Sequence, residues 1–295
     1  MNRKITLVLV AVLAIGLAGI LAMFSRGIDI SILNPQGWVA LQEKNLIITV
    51  VLLMALVVVP VYVLTLLIAW KYRASNTHVA YMPDHDRDPG LEIIWWAIPL
   101  AIITMLAAVT WKTTHDLDPS RPLDARVEPF TIQVIALDWK WLFIYPEQGI
   151  ATVNEVAFPA GTTIRFDITA DAPMNSFWIP SLGSQIYAMP GMSSRLHLIA
   201  DGTGSYRGLS ANFSGEGFSG MTFAARSLSR AEFDRWADMV RQSSAALNLD
   251  LYRALAAPSS HVPVSYYGSV DPGLYNTVVL TYLSPDISMP AMRHD

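Results

Sequence analysis

Three long apolar blocks dominate the first 111 residues, and short alternating runs dominate the rest. Ile5 to Phe24, Leu46 to Trp70 and Leu91 to Trp111 contain one charged residue between them, Glu92. At about 1.5 Å per residue, runs of this length reach across the roughly 30 Å hydrocarbon core of a bilayer. The second and third blocks therefore predict a hairpin of membrane helices, and Pro60 is expected to kink the first of the pair. Trp95, Trp96 and Trp111 suit the interfacial belts at the ends of the other. The first block follows Arg3 and Lys4 and reads either as a signal segment, residues 1–27, or as a further membrane helix. Its length of about 20 residues and the want of an Ala-x-Ala cleavage site favour retention. A polar connector, residues 25–45 with the turn-like Asn34-Pro-Gln-Gly37, is expected before the hairpin. Lys71, Arg73 and Arg87 lie in the loop between the hairpin helices, so the positive-inside rule puts that loop in the cytoplasm and everything after Trp111 outside.

From about Glu128 the period shortens to that of strands. The predicted strands are Phe130 to Ala136, Lys140 to Tyr145, Glu155 to Phe158, Thr163 to Thr169, Ser176 to Ile179, Ser194 to Ile199, Gly204 to Ser210 and Met221 to Ala225. Strands at this spacing, separated by turn residues, predict a sandwich or Greek-key barrel. Trp139 and Trp141 alternate and are expected to share one face of a strand. In Arg195-Leu-His-Leu-Ile199, His197 falls on the polar face and is expected to be solvated. Ser229-Arg-Ala-Glu232 has the form of a capping box opening an amphipathic helix to about Ala246, with Phe233, Trp236 and Val240 on one face. A second helix, Leu249 to Ala257, ends before Pro258. These helices are expected to form an arm apart from the sandwich. The chain thus divides into residues 1–27, a hairpin region 28–124 with helices at about 46–70 and 91–111, an external domain 125–226, an arm 227–283 and a tail 284–295.

Composition narrows the chemistry. With 53% hydrophobic and 15% charged residues, the chain is too apolar for an ordinary soluble domain and must divide between lipid and water. Residues 1–111 carry seven lysines and arginines against six acids, and residues 112–295 thirteen against eighteen. Neither part has the clustered cations of a nucleic-acid surface. The sequence has no cysteine, which removes disulfides, thiolate metal sites, haem attachment and cysteine lipidation together. No P-loop or HExxH motif occurs. Met289, Met292 and His294 in the tail are too scattered to make a metal site.

One loop nevertheless has the spacing of a metal site: Gly208-Leu-Ser-Ala-Asn-Phe-Ser-Gly-Glu-Gly-Phe-Ser-Gly-Met221. Ser210, Asn212, Ser214 and Phe218 stand where sulfur, carboxylate and imidazole donors belong, and Met221 alone offers a sulfur lone pair. A delocalised pair of copper ions needs soft, deprotonated thiolates, which a serine hydroxyl does not supply at neutral pH. The bland reading of the same loop is a tight turn whose glycines permit positive φ.

This loop, Asp138-Trp-Lys-Trp141, Met174-Asn-Ser-Phe-Trp-Ile-Pro-Ser-Leu-Gly183 and Ala188-Met-Pro-Gly191 together resemble subunit II of the haem-copper respiratory oxidases over roughly residues 34–283. The resemblance implies a membrane α-helical hairpin followed by an all-β cupredoxin-like sandwich with a C-terminal helical arm. The copper-bearing branch reads Cys-x-Glu-x-Cys-x-x-x-His-x-x-Met in this loop. Here Asn175 stands for that branch's first His, Ser210 and Ser214 for its two Cys, Asn212 for the Glu and Phe218 for the second His, with Met221 retained. That pattern, with Asn-Ser-Phe-Trp178 and Trp-Lys-Tyr-Arg73, is similar to the quinol oxidase branch, the bo-type ubiquinol oxidases. The resemblance then implies a supporting subunit of a proton-pumping ubiquinol oxidase in the bacterial inner membrane, with its head on the periplasmic side. No catalytic residue and no cofactor are expected in this chain. Haems and copper are expected in a partner subunit I, through which ubiquinol would act. Further membrane subunits and lipid are the other expected partners; nucleic acid and cytochrome c are not. Glu92 has two readings: a carboxylate favoured by a helix N-terminus, or, by the resemblance, the mouth of a proton-uptake path. Two other classes stay open, a membrane-anchored cupredoxin-like binding module and a copper-delivery or assembly factor.

Overall fold

The computed structural model describes residues 31–77, 88–123 and 128–283, together with Gly19 and Arg126. Apart from Gly19, the segment 1–27 and the tail 284–295 lie outside the described residues, as does the stretch 78–87 between the hairpin helices. The described residues form two compact units, those within Asn45–Asp116 on one hand and Ser31–Lys44 with those from Leu117 onward on the other.

Helices α1 (Trp38–Lys71) and α2 (Pro89–Asp116) are the predicted pair, each long and apolar enough to cross a membrane. Leu52, Leu64, Ile93 and Leu100 are exposed, the surface a helix presents when hydrocarbon is its solvent. Pro60 and Pro99 lie inside these helices, which run on past them. One expectation fails here: α1 begins at Trp38, inside the stretch read as a polar connector. Tertiary partners supply the reason. The Ala40 N–H, which a helix start leaves without an intrahelical acceptor, donates to the Leu182 carbonyl at 3.1 Å, and the Gln36 N–H donates to Ser181 O at 2.8 Å. Val39 and Ala40 are buried, and a Cβ on Gly37 would stand 2.1 Å from Ile199 O.

The β unit is a sandwich. One sheet runs β12-β3-β2-β1-β5-β8 and the other β4-β10-β9-β6-β7, with β1 Phe130–Leu137, β2 Lys140–Tyr145, β3 Ile150–Val153, β4 Glu155–Pro159, β5 Ile164–Ala170, β6 Asn175–Trp178, β7 Ile186–Ala188, β8 Ser194–Leu198, β9 Gly204–Ser210, β10 Thr222–Leu228 and β12 Ser265–Tyr267. A small third sheet pairs β11 (Ala246–Leu247) with β13 (Ser269–Val270). Between the two large sheets, Trp141, Phe143, Phe166, Phe177 and Phe223 pack ring against ring, with Phe177 and Phe223 stacked at 5.1 Å. Burying each such ring contributes about 2–3 kcal/mol.

Helices α3 (Arg230–Arg241), α4 (Leu249–Ala256) and α5 (Leu274–Thr281) follow. The capping box is formed: Ser229 Oγ accepts from the Glu232 amide, and the Glu232 carboxylate accepts from the Ser229 amide at 3.0 Å. The expectation that these helices stand apart from the sandwich is overturned. Phe233, Trp236, Ala237 and Val240 of α3 belong to the main core, and Phe233 meets Phe130 edge-on at 5.2 Å. The rest of the arm covers the other face of the first sheet, where Leu247, Tyr252, Leu274, Tyr275 and Val278 pack on Ile135, Leu137, Leu142, Ile144 and Val153.

Polar seams fasten this layer. Glu155 Oε1 accepts from Trp236 Nε1 and from the Tyr266 hydroxyl, each at 3.0 Å. The Asp171 carboxylate accepts from the hydroxyls of Tyr252 at 2.6 Å and Tyr282 at 2.5 Å. The buried Lys140 Nζ donates to Ala257 O at 2.8 Å and Ser259 Oγ at 2.5 Å, at the end of α4 where a helix favours a cation.

Two further expectations are corrected. Trp139 is not on a strand; it occupies the β1–β2 turn at φ 61, so it shares no strand face with the fully buried Trp141. His197 is buried at 4% exposure rather than solvated. The segment leaving α2 lies along the free edge of β8, and Pro119 O takes the His197 amide at 3.0 Å and sits 3.1 Å from Nδ1.

Candidate functional site

The loop with metal-site spacing hangs between β9 and β10, and β6 lies beside it. Ser210 ends β9 opposite Phe177 of β6, so the side chain of Asn175, which opens β6, comes within reach. The Ser210 hydroxyl donates to Asn175 Oδ1 at 2.8 Å, with both residues buried. Asn175 Nδ2 in turn donates to Pro173 O at 2.8 Å. Alongside them, the Ser176 hydroxyl donates to Asn212 Oδ1 at 3.0 Å, and the Ala211 and Ser210 amides donate to Ser176 O and Met221 O, each at 3.1 Å.

Met221 is 1% exposed and part of the apolar core. Phe218 opens a short 3-10 turn, Phe218–Gly220, and packs edge-on against the exposed Phe213 at 5.6 Å. Ser214 presents its carbonyl to Trp139 Nε1 at 3.0 Å, while its buried hydroxyl has no hydrogen-bond partner among the described residues. Gly217 lies flat on the same indole, where a Cβ would come within 2.4 Å of the ring.

These side chains do not fit a pair of copper ions. Asn175 and Ser210 spend their polar atoms on each other, Asn212 is held by Ser176, and the Met221 side chain is packed in hydrocarbon. A lone thioether without thiolate or imidazole neighbours is a weak ligand. Among the described residues, no group of three His, Cys, Asp or Glu is placed to hold a metal ion. Residue types along the chain point to Asn175, Ser210, Asn212, Ser214, Phe218 and Met221, and to Trp139 only as a neighbour of Trp141; the parts that Ser176 and Trp139 take in the network come from the fold.

Glu92 lies in the first turn of α2, exposed, with its amide donating to Asp88 O at 2.9 Å. Among the described residues its carboxylate makes no hydrogen bond or ion pair.

A two-helix membrane segment, a cupredoxin-like sandwich and this hydrogen-bonded loop define a class: subunit II of the cytochrome oxidase superfamily. The family described as cytochrome c oxidase subunit II, periplasmic domain, matches residues 142–228, and the aromatic-rich motif of the same oxidases matches residues 241–286. Cytochrome bo(3) ubiquinol oxidase subunit 2 of Pseudomonas aeruginosa is 52% identical over 88% of this chain and 79% of its own length. Ubiquinol oxidase subunit 2 of Acetobacter aceti is 48% identical over 88% of this chain and 85% of its own. The solved periplasmic domain of cytochrome oxidase subunit II from Bradyrhizobium japonicum aligns with 37% of this chain and 91% of its own at 25% identity and a TM-score of 0.36. The chain belongs to the cytochrome bo(3) ubiquinol oxidase subunit 2 family.

Proposed function

We propose that this chain is subunit II of a proton-pumping respiratory ubiquinol oxidase, a supporting subunit with no redox centre of its own. The observation that carries the reading is the bond between Ser210 and Asn175 at 2.8 Å, where the copper-bearing branch aims a thiolate and an imidazole at metal. With Asn175, Ser210 and Asn212 tied up in hydrogen bonds, the loop is left with a serine hydroxyl and a buried thioether, which are no donor set for paired copper, and without copper the head cannot receive electrons from a soluble cytochrome. A lipid-soluble quinol acting through a partner subunit fits that need. Haems and copper belong to this partner, subunit I; the hairpin packs against its helices in the bacterial inner membrane, and the sandwich caps it on the periplasmic side. Glu92 takes up protons at the cytoplasmic mouth of a path through that partner. The domain limits 28–124, 125–226 and 227–283 serve as working boundaries, with α3 counted as part of the sandwich core.

The test is purification of the native complex with its subunits, haems and metals identified and quinol-driven oxygen consumption measured. Copper in proportion to subunit I alone, together with quinol oxidation and indifference to reduced cytochrome c, is the expected result. A dinuclear copper chromophore on this chain overturns the reading.

A further inference from the structure

Two carboxylates share the start of α2, and the geometry divides the work between them. Asp88 is the residue before the helix, and its Oδ1 accepts from the amides of Gly90 at 2.9 Å and Leu91 at 3.2 Å. Its main-chain carbonyl accepts from the Glu92 amide at 2.9 Å. Pro89, the first helical residue, has no amide hydrogen to satisfy. Of the free donors that a helix start exposes, the Asp88 side chain therefore takes two, those of Gly90 and Leu91, and proline removes a third. Gly90 is shaped to this arrangement, because a Cβ there would lie 3.2 Å from Asp88 Oδ1. Glu92, one turn further on, binds none of these amides with its side chain, and among the described residues its carboxylate has no partner.

We propose that Asp88 is a positioning residue for Glu92. It takes the capping role that an acid in a first turn otherwise fills, and so fixes the turn while leaving the Glu92 carboxylate free to exchange protons. This rests on the proton-uptake reading of Glu92, and the experiment keeps the two apart. Turnover per haem, its pH profile and proton uptake are measured on the assembled oxidase carrying D88A, D88N, G90A, E92Q or the double variant D88A/E92Q.

With the cap removed, D88A should lose about fivefold in turnover, the factor equivalent to a typical cap of about 1 kcal/mol, and should change the pH profile as E92Q does. D88N, whose amide oxygen still accepts from both backbone amides, should restore turnover and profile. G90A, which crowds the cap, should fall between. Because Asp88 acts through Glu92, adding D88A to E92Q should cost nothing further. Impairment of D88N equal to that of D88A overturns the proposal, as do additive losses in the double variant or wild-type behaviour of D88A and G90A while E92Q is slow. Wild-type proton uptake by E92Q overturns the reading beneath it instead.

Discussion

At the residue scale, the polar side chains of the sandwich do what metal or disulfide does elsewhere: they tie segments distant in sequence. Asn154 is the clearest case. It sits at φ 56, its Oδ1 accepts from the Trp141 amide at 2.9 Å, and its Nδ2 donates to Val262 O at 2.8 Å. Asn tolerates left-handed backbone better than most residues, and two buried bonds contribute about 1 kcal/mol each. Asn154→Ala should therefore lower stability by about 2–3 kcal/mol, read by urea unfolding of the detergent-solubilised chain. Gly217→Ala should act on the loop instead, since the new Cβ meets the Trp139 indole at 2.4 Å. Faster amide exchange across residues 210–221, with little change in the far side of the sandwich, is the expected sign. The donor chemistry of the loop was legible from residue types alone. The pairing of Ser176 with Asn212 was not, because it depends on β6 and β9 lying side by side.

At the scale of elements, the arm explains why the end of β1 and all of β2 are buried without a break. Both faces are covered there, so the alternation of Phe130 to Gln133 gives way from Val134 onward. The short β3 escaped notice for the same reason, and α5 because its apolar residues face a sheet that sequence periodicity cannot show. Burial is the largest cause raising the hydroxyl pKa of the arm's tyrosines, followed for Tyr252 and Tyr266 by the negative charge of Asp171 and Glu155. Tyr266 and Tyr275 are pushed up to about 12, and Tyr252 and Tyr282 are likewise raised. Unfolded tyrosines lose their protons near pH 10 (about 10 in model peptides), so the stabilisation is complete below that value and is lost as pH climbs through the folded-state values. Lys140, lowered by burial, pulls the other way, but it is one group against four. Alkaline titration should show tyrosinate absorbance of the folded chain lagging that of the urea-unfolded chain, with protease cuts in residues 242–283 appearing over the same range. Ser229→Ala, which removes one half of the capping box, should cost about 1 kcal/mol and loosen the Phe233 and Trp236 side of the core.

At the scale of the whole molecule, the chain pairs two apolar helices with a β-sandwich whose outer sheet face is covered by the arm. Removing the chain after Arg241 should strip the cover from Leu142, Ile144 and Val153, leaving an apolar sheet face of the kind that aggregates. Loss of the assembled complex, measured as haem recovered with the purified subunits, is the expected outcome. Within the sequence itself lay everything that depends on residue type and run length: two spans long enough for a bilayer, a capping box, and a loop without thiolate or imidazole donors. These are local properties, set by side-chain chemistry and by hydrophobic length. Only the folded chain decided that Trp38 to Lys44 is helical, that His197 is buried under Pro119, that α3 belongs to the core, and that Asp88 caps α2. Each of these turns on which distant segment, or which neighbouring amide, a group finds beside it, and no pattern along one strand of sequence carries that information.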